Sequence, residues 1–375
     1  MSINSTLKKE GINVISQLNT MQINQIASNI SEKLSKAFPE HNIDQSDLFI
    51  SIARLNMYIA EMPNDAAAKY FYKNNSIYFS SDINLEDLNT LAVHECLHFI
   101  QEVTNKHGKL LRLGLYDLEK GHSGLGLNEA AVQYMASIAT DAPMDTAKYY
   151  NMEISTISPD YYPLQTALLS EMIYFTGTYS LFHSTLYSND VFKNTFATIA
   201  GYKAFGKIEK NFDLILEYES MLAEETYNLS VCSEELKSIN KIKRINSKIA
   251  DLKAIILEKT LETQNIILLN CFGNNLNNIK SLEDIQKFQQ DLYNFRHVII
   301  TTENYNFYND FYIDMMNKLE EKKEFILKYG NILNMDSLTQ ELASINEVTY
   351  GVQFFKRLFK KLSLLFEDKI REKDF

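Results

Sequence analysis

Residues 88–103 read LNTLAVHECLHFIQEV, and within them His94-Glu95-Cys96-Leu97-His98 forms an H-E-x-x-H pentad. On a helix, His94 and His98 stand at i and i+4, so both imidazoles leave one face, one turn apart. That spacing lets two neutral ring nitrogens hold one zinc ion. It also sets Glu95 on the adjacent face, where a carboxylate reaches a metal-activated water without being a ligand. The helix is expected from an apolar stripe of Leu85, Leu88, Leu91, Ala92, Cys96, Phe99, Ile100 and Val103. Asn84 with Asp87 marks its start and Gly108 its stop, with no Pro or Gly between. Cys96 faces away from the histidines and reads as a small core residue.

Two imidazoles need a third ligand. Past a glycine-rich connector, GHSGLG at 121–126, comes Leu127-Asn128-Glu129-Ala130-Ala131-Val132-Gln133-Tyr134. It reads as a second helix over 129–140, with Asn128 at the cap and Glu129 in the first turn. The plain reading of Glu129 is an acidic residue favoured there by the helix dipole. Glu129 follows His98 by 31 residues, enough for a loop and a returning helix.

HECLH followed by Asn-Glu opening a second helix resembles the gluzincin clan of zinc metallopeptidases, the thermolysin-like group, over roughly Ile77 to Tyr134. The resemblance implies one Zn2+ per chain held by His94, His98 and Glu129, with Glu95 as general base in peptide hydrolysis. The thermolysin-like pattern continues N-E-x-x-S-D, and its Asp supports a ligand histidine. Val132 and Gln133 stand at those two places, so the support at Gln133 is an acceptor without charge.

Upstream, Ile23, Ile26, Ala27, Ile30, Leu34 and Ala37 predict a helix over 20–38 that stops before Pro39, and a second helix fits 45–53 with Asp44 as cap. Leu55, Met57 and Ile59 alternate, predicting a strand over 54–61. Residues 69–80 read as a hairpin turning at Asn74-Asn75. Strand, strand, strand and then the HECLH helix is the order a gluzincin implies, with an edge strand that pairs with an extended peptide.

After the Glu129 helix, 144–163 is rich in Tyr, Ser and Pro and reads as a loop-rich cleft wall carrying Tyr149, Tyr150, Tyr161 and Tyr162. A long helix is expected over 164–187. Peptide hydrolysis also needs a donor to the oxyanion. His183 is the first candidate, with Tyr179 and Tyr187 on the same helical face. His122, in the glycine-rich connector, is the rival. His41, His107 and His297 read as surface residues.

From about 205 the chain is helical, rich in Lys, Glu, Ile and Leu. Ile242, Ile245, Ile249, Leu252 and Ile256 form a two-heptad seam, read as a helical hairpin ending at Gly273-Asn274-Asn275. Helices follow over 282–296, capped by Ser281 and Asp284, and over 305–329, 337–345 and 350–371. The last is amphipathic, with Phe355, Leu358, Phe359, Leu362, Leu365, Phe366 and Ile370 opposite Lys356, Arg357, Lys360 and Lys361. Docking onto the helical domain is the first reading of that face, and contact with an anionic membrane surface is the second.

The expected architecture is α+β, predominantly α-helical. A metallopeptidase domain with a small N-terminal sheet covers 1–204, and a helical domain covers 205–375, packed on or contiguous with it. Scarce Gly (12) and Pro (5) agree with helix. A net charge of −11 argues against a nucleic-acid partner, leaving a peptide or protein substrate, with the helical domain free to dock a protein partner. Cys96, Cys232 and Cys271 have no paired spacing. The N-terminal stretch has no apolar h-region and no run of about 18 apolar residues occurs, so the default location is the cytoplasm. Two alternatives remain: a non-catalytic interaction protein with a structural or degenerate zinc site, and a helical scaffold whose pentad is accidental.

Overall fold

The computed structural model describes residues 3–9, 11–62, 68–82, 84, 90–119, 121, 123–234, 239–302 and 307–329. Leu85, Asp87, Leu88, His122, Gly330 and the helices expected over 337–345 and 350–371 lie outside the described residues. Two compact units divide the chain. One comprises 1–267 with 295–308, and the other 268–294 with residues from 309 onward.

The first unit opens with α1 (Ile3–Lys9) and β1 (Asn13–Gln17). No apolar alternation announces β1, because all five of its residues are exposed. α2 (Thr20–Ala37) starts at a capping box between Asn19 and Gln22, and buries Ile26, Ala27, Ile30 and Leu34. α3 (Gln45–Ala53) starts where the Asp44 carboxylate takes the N–H groups of Ser46 and Asp47. β2 (Asn56–Glu61), β3 (Ala68–Phe71) and β4 (Ser76–Ser80) complete a four-stranded sheet of order β1-β2-β4-β3. β2 runs parallel to β4, while β1 and β3 are antiparallel to their neighbours. The 69–80 hairpin turns through a short 3-10 helix at Tyr72–Asn74 and a left-handed Asn75. Leu7, Ile12, Ala60, Phe71 and Tyr78 pack into one core cluster.

α4 (Thr90–Ile100) carries the pentad and ends earlier than expected. Gly108 is not its stop. It turns the first hairpin of a small sheet, β5 (Glu102–Thr104), β6 (Leu110–Leu113) and β7 (Tyr116–Asp117). α5 (Leu125–Ala139) starts four residues early, with left-handed Gly124 as its cap. Asn128 therefore lies inside the helix rather than capping it. The 144–163 segment is not loop-rich. It folds into the hairpin β8 (Asp145–Tyr149) and β9 (Met152–Thr156). The expected 164–187 helix is two, α6 (Pro163–Thr176) and α7 (Thr178–Tyr187), divided at Gly177 with φ 71° and ψ 170°. A right-handed helical turn cannot pass through that conformation.

α8 (Val191–Ala200) leads into the helical hairpin α9 (Tyr202–Glu234) and α10 (Ile239–Asn277). Ile245, Leu252 and Ile256 are its buried seam positions, and Lys248 pairs with Glu225 across it. α10 continues through Gly273-Asn274-Asn275, so no turn forms there. In the second unit, α11 (Leu282–Phe295) starts at the Ser281–Asp284 box. β10 (Thr301–Thr302) joins β9 in the first unit. α12 (Phe307–Tyr329) brings Phe311 against Phe272, which also meets Phe288. No helix of the described residues is long and apolar enough to cross a membrane.

Candidate metal centre

α4 and α5 pack side by side, with the Thr90 and Thr140 hydroxyls 2.9 Å apart at one end. α5 is placed from its start. The Asp213 carboxylate of α9 takes the N–H groups of Gly124 and Gly126 at 2.8 Å each, filling donors that a helix start leaves open. A Cβ at Gly126 would stand 2.4 Å from the Phe212 carbonyl oxygen, so only glycine allows this approach. One turn on, the buried Asn128 accepts from the Leu115 N–H and donates to Gln101 Oε1. Glu129 is thereby aimed at α4.

His94, His98 and Glu129 come together: one ligand atom from each lies within 4.8 Å of the others. His94 Nε2 is 2.9 Å from His98 Nε2 and 3.2 Å from Glu129 Oε2, and His98 Nε2 is 3.5 Å from the same oxygen. Donors at about 2.0–2.1 Å around a tetrahedral zinc stand about 3.3 Å apart, so this donor set fits that ion. Among the described residues no other group of three His, Cys, Asp or Glu is brought so close.

The hydrogen-bond polarity agrees. The Tyr161 carbonyl only accepts, so the Ser158 hydroxyl donates to it, at 2.6 Å. Ser158 Oγ then accepts from Gln133 Nε2 at 2.8 Å, which turns Gln133 Oε1 toward His94 Nδ1 at 2.9 Å. His94 must carry its proton on Nδ1, leaving the Nε2 lone pair facing the cluster. Gln133 thus performs the orienting task through a neutral chain.

Electrostatics follow from this crowding. Burial opposes ionisation of Glu129, but His98 and His94 outweigh it and hold the carboxyl well below its usual range. Burial likewise opposes the His98 imidazolium, and the Glu129 carboxylate overcomes it, lifting the pKa to about 9. The centre attracts positive charge.

Glu95 stands half-buried beside the ligands, and its Oε2 accepts the Tyr70 N–H at 2.6 Å. β3 is an edge strand, and that N–H leaves its unpaired side. The Tyr70 hydroxyl donates to Glu102 at 2.5 Å.

Tyr162, missed as a functional residue, stands at the centre. Its ring stacks on His94 with centroids 5.9 Å apart. Glu129 beside it, together with burial and Glu95, raises its pKa, so the hydroxyl keeps its proton. The residue adopts φ 51°, unusual for an aromatic side chain, immediately before Pro163 at the first position of α6. The Tyr-Pro step before a helix was the available signal.

Tyr179 and His183 share a face of α7 as expected, but their ring contacts are with His41, Tyr187 and each other. Among the described residues, no ring contact or hydrogen bond joins them to the ligands. His41 is buried, not a surface residue, and its carbonyl accepts from the Tyr187 hydroxyl. His107 and His297 are exposed.

Comparison with protein-family models, with curated proteins and with solved structures finds no match in any of the three.

Proposed function

We propose that the chain is a zinc-dependent peptidase with a gluzincin-type centre. The observation that carries this reading is the convergence of His94, His98 and Glu129 from two helices, with the Glu95 carboxylate, held at one oxygen by the Tyr70 N–H, next to them. A structural zinc site takes four protein ligands, whereas three is the number a hydrolytic site supplies. Three are found among the described residues.

Zinc, when bound, supplies a Lewis acid that polarises the scissile carbonyl and acidifies water. The remaining chemistry belongs to the chain. Glu95 takes the proton of the attacking water and returns it to the leaving amine. The Tyr70 N–H fixes which carboxylate oxygen is free for that exchange. Tyr162, in preference to Tyr179, His183 or His122, donates its hydroxyl to the oxyanion that develops as the carbonyl becomes tetrahedral. The unpaired side of β3 offers backbone groups to an extended peptide or protein substrate. Residues 1–204 carry the ligands, and Asp213 of α9, in the same compact unit, seats the ligand helix.

The test is metal content and cleavage together. One zinc per chain, lost in His94→Ala and retained in Glu95→Gln, is expected. Cleavage of a peptide library by the wild type and its loss in Glu95→Gln, by about 10²–10⁴-fold, complete the case. Zinc without cleavage would leave a non-catalytic metal protein.

A further inference from the structure

The two ligand histidines differ at their outer ring nitrogens. His94 Nδ1 meets Gln133 Oε1 at 2.9 Å, whereas His98 Nδ1 is buried with no hydrogen-bond partner among the described residues. A neutral imidazole that binds zinc through Nε2 carries its proton on Nδ1. At His98 that proton is a buried donor without an acceptor, which is costly.

Gln101 follows His98 by three residues. Its backbone N–H donates to the Leu97 carbonyl at 3.0 Å, so the helical turn reaches it, and side chains three apart lie on one face. Both residues cross to neighbouring positions of α5. His98 Nε2 stands 3.5 Å from Glu129 Oε2, and Gln101 Oε1 accepts from Asn128 Nδ2 at 2.9 Å. Gln101 is buried, and the Ser188 hydroxyl donates to its backbone carbonyl. Its amide lies against Gly114, where a Cβ would stand 2.9 Å from Nε2 and 3.1 Å from Oε1.

The polarity of that amide is set from the backbone. The Leu115 N–H only donates, so Asn128 Oδ1 accepts it, at 3.1 Å. Asn128 Nδ2 is then a donor, and the Gln101 atom that receives it is the carbonyl oxygen. This oxygen has two lone pairs, and Asn128 takes one. Gln101 Nε2 is buried without a partner, so no second bond holds the amide against a turn about its Asn128 contact.

We propose that Gln101 is the positioning residue of His98, its Oε1 accepting the Nδ1–H of the zinc-ligating imidazole. The bond is not made in this structure. It satisfies the ring N–H for which Gln133 has no counterpart. The proposal rests on the zinc reading. Gln101 touches neither metal nor substrate and acts through His98, as Gln133 acts through His94.

Chelator competition and ring-nitrogen NMR on the full chain with isotope-labelled histidine test it without turnover. The zinc-loaded wild type is expected to show hydrogen-bonded Nδ1–H protons on both His94 and His98. Gln101→Leu is expected to shift or remove the His98 signal, leave that of His94, and weaken zinc binding by about 10–100-fold. Gln133→Leu does the reverse to the two signals. Gln101→Glu keeps an acceptor for both Asn128 and His98 and restores most of the affinity. A residue with a merely structural role would disturb both signals together or neither. A His98 signal unchanged in Gln101→Leu overturns the proposal. So does an unbonded His98 Nδ1–H in the zinc-loaded wild type, a result that needs no variant to fold. A wild-type chain that takes up no zinc removes the zinc reading, whereas zinc uptake with an unbonded His98 Nδ1–H removes this proposal alone.

Discussion

The backbone N–H of Tyr70 donates to Glu95 Oε2 at 2.6 Å, tying the proposed general base to the unpaired side of an edge strand. A carboxylate held at one oxygen presents the other in a fixed direction, and proton transfer is sensitive to such placement. Because this N–H serves no β-ladder, Tyr70→Pro removes it without breaking the pairing of β3 with β4. The variant is expected to bind zinc as the wild type does and to lose kcat by about 10–100-fold. Paired metal analysis and steady-state kinetics check this. An unchanged kcat would show that Glu95 needs no such anchor.

Gln133 orients His94 through a chain that ends on the Tyr161 carbonyl. Gln133→Leu keeps the bulk and removes the acceptor, so the His94 tautomer is no longer held. Zinc affinity is expected to fall by about 10–100-fold, the range for partners that orient ligating histidines. Competition against a chelator of known affinity measures it, with the melting temperature as a control for folding. Gln133→Glu keeps an acceptor and is expected to lose less.

What was legible in the chain is what local chemistry determines. Asp44 and the Ser281–Asp284 box each satisfy backbone donors within a few residues, so α3 and α11 begin where expected. His94 and His98 share a face through helical geometry alone. What was not legible depends on distant contacts. β1 is wholly exposed and shows no alternation, existing because β2 pairs with it. Asn128 has the chemistry of a cap, but Asp213, 85 residues away, caps the helix instead and draws its start back to Gly124. Tyr162 is one of several tyrosines in its segment. It reaches His94 because the β8–β9 hairpin folds the chain back, and Gln133 ties that fold through Ser158.

Gly126 lets α5 lie against α9. A Cβ there would meet the Phe212 backbone carbonyl at 2.4 Å, and a backbone atom cannot rotate away. Gly126→Ala is therefore expected to lose about 1–3 kcal/mol of stability through overpacking, despite alanine's better helix propensity. Displacing the helix start also moves Glu129, so zinc affinity should fall together with the denaturation midpoint. Denaturant unfolding and chelator competition on the same preparation test the coupling. Gly206, where a Cβ meets nothing within 4 Å, is the control position.

Glu171 sits fully buried on α6, accepting from Gln264 Nε2 at 2.7 Å and from the Ile300 N–H at 3.3 Å. Burial raises its pKa to about 8 against an ordinary 4.5, although both hydrogen bonds oppose the shift. Below pH 4.5 the folded and unfolded chains both hold this proton. Between 4.5 and about 8 the unfolded chain has released it and the folded chain has not, so stability falls as pH rises through that window. Glu171→Gln keeps the acceptor and removes the titration. The difference in melting temperature between variant and wild type, both metal-free, is expected to move in favour of the variant from pH 5 to pH 8. Taking the difference at each pH cancels what the other groups contribute. A difference that stays flat across the window would mean that Glu171 ionises in the folded chain as it does in the unfolded one.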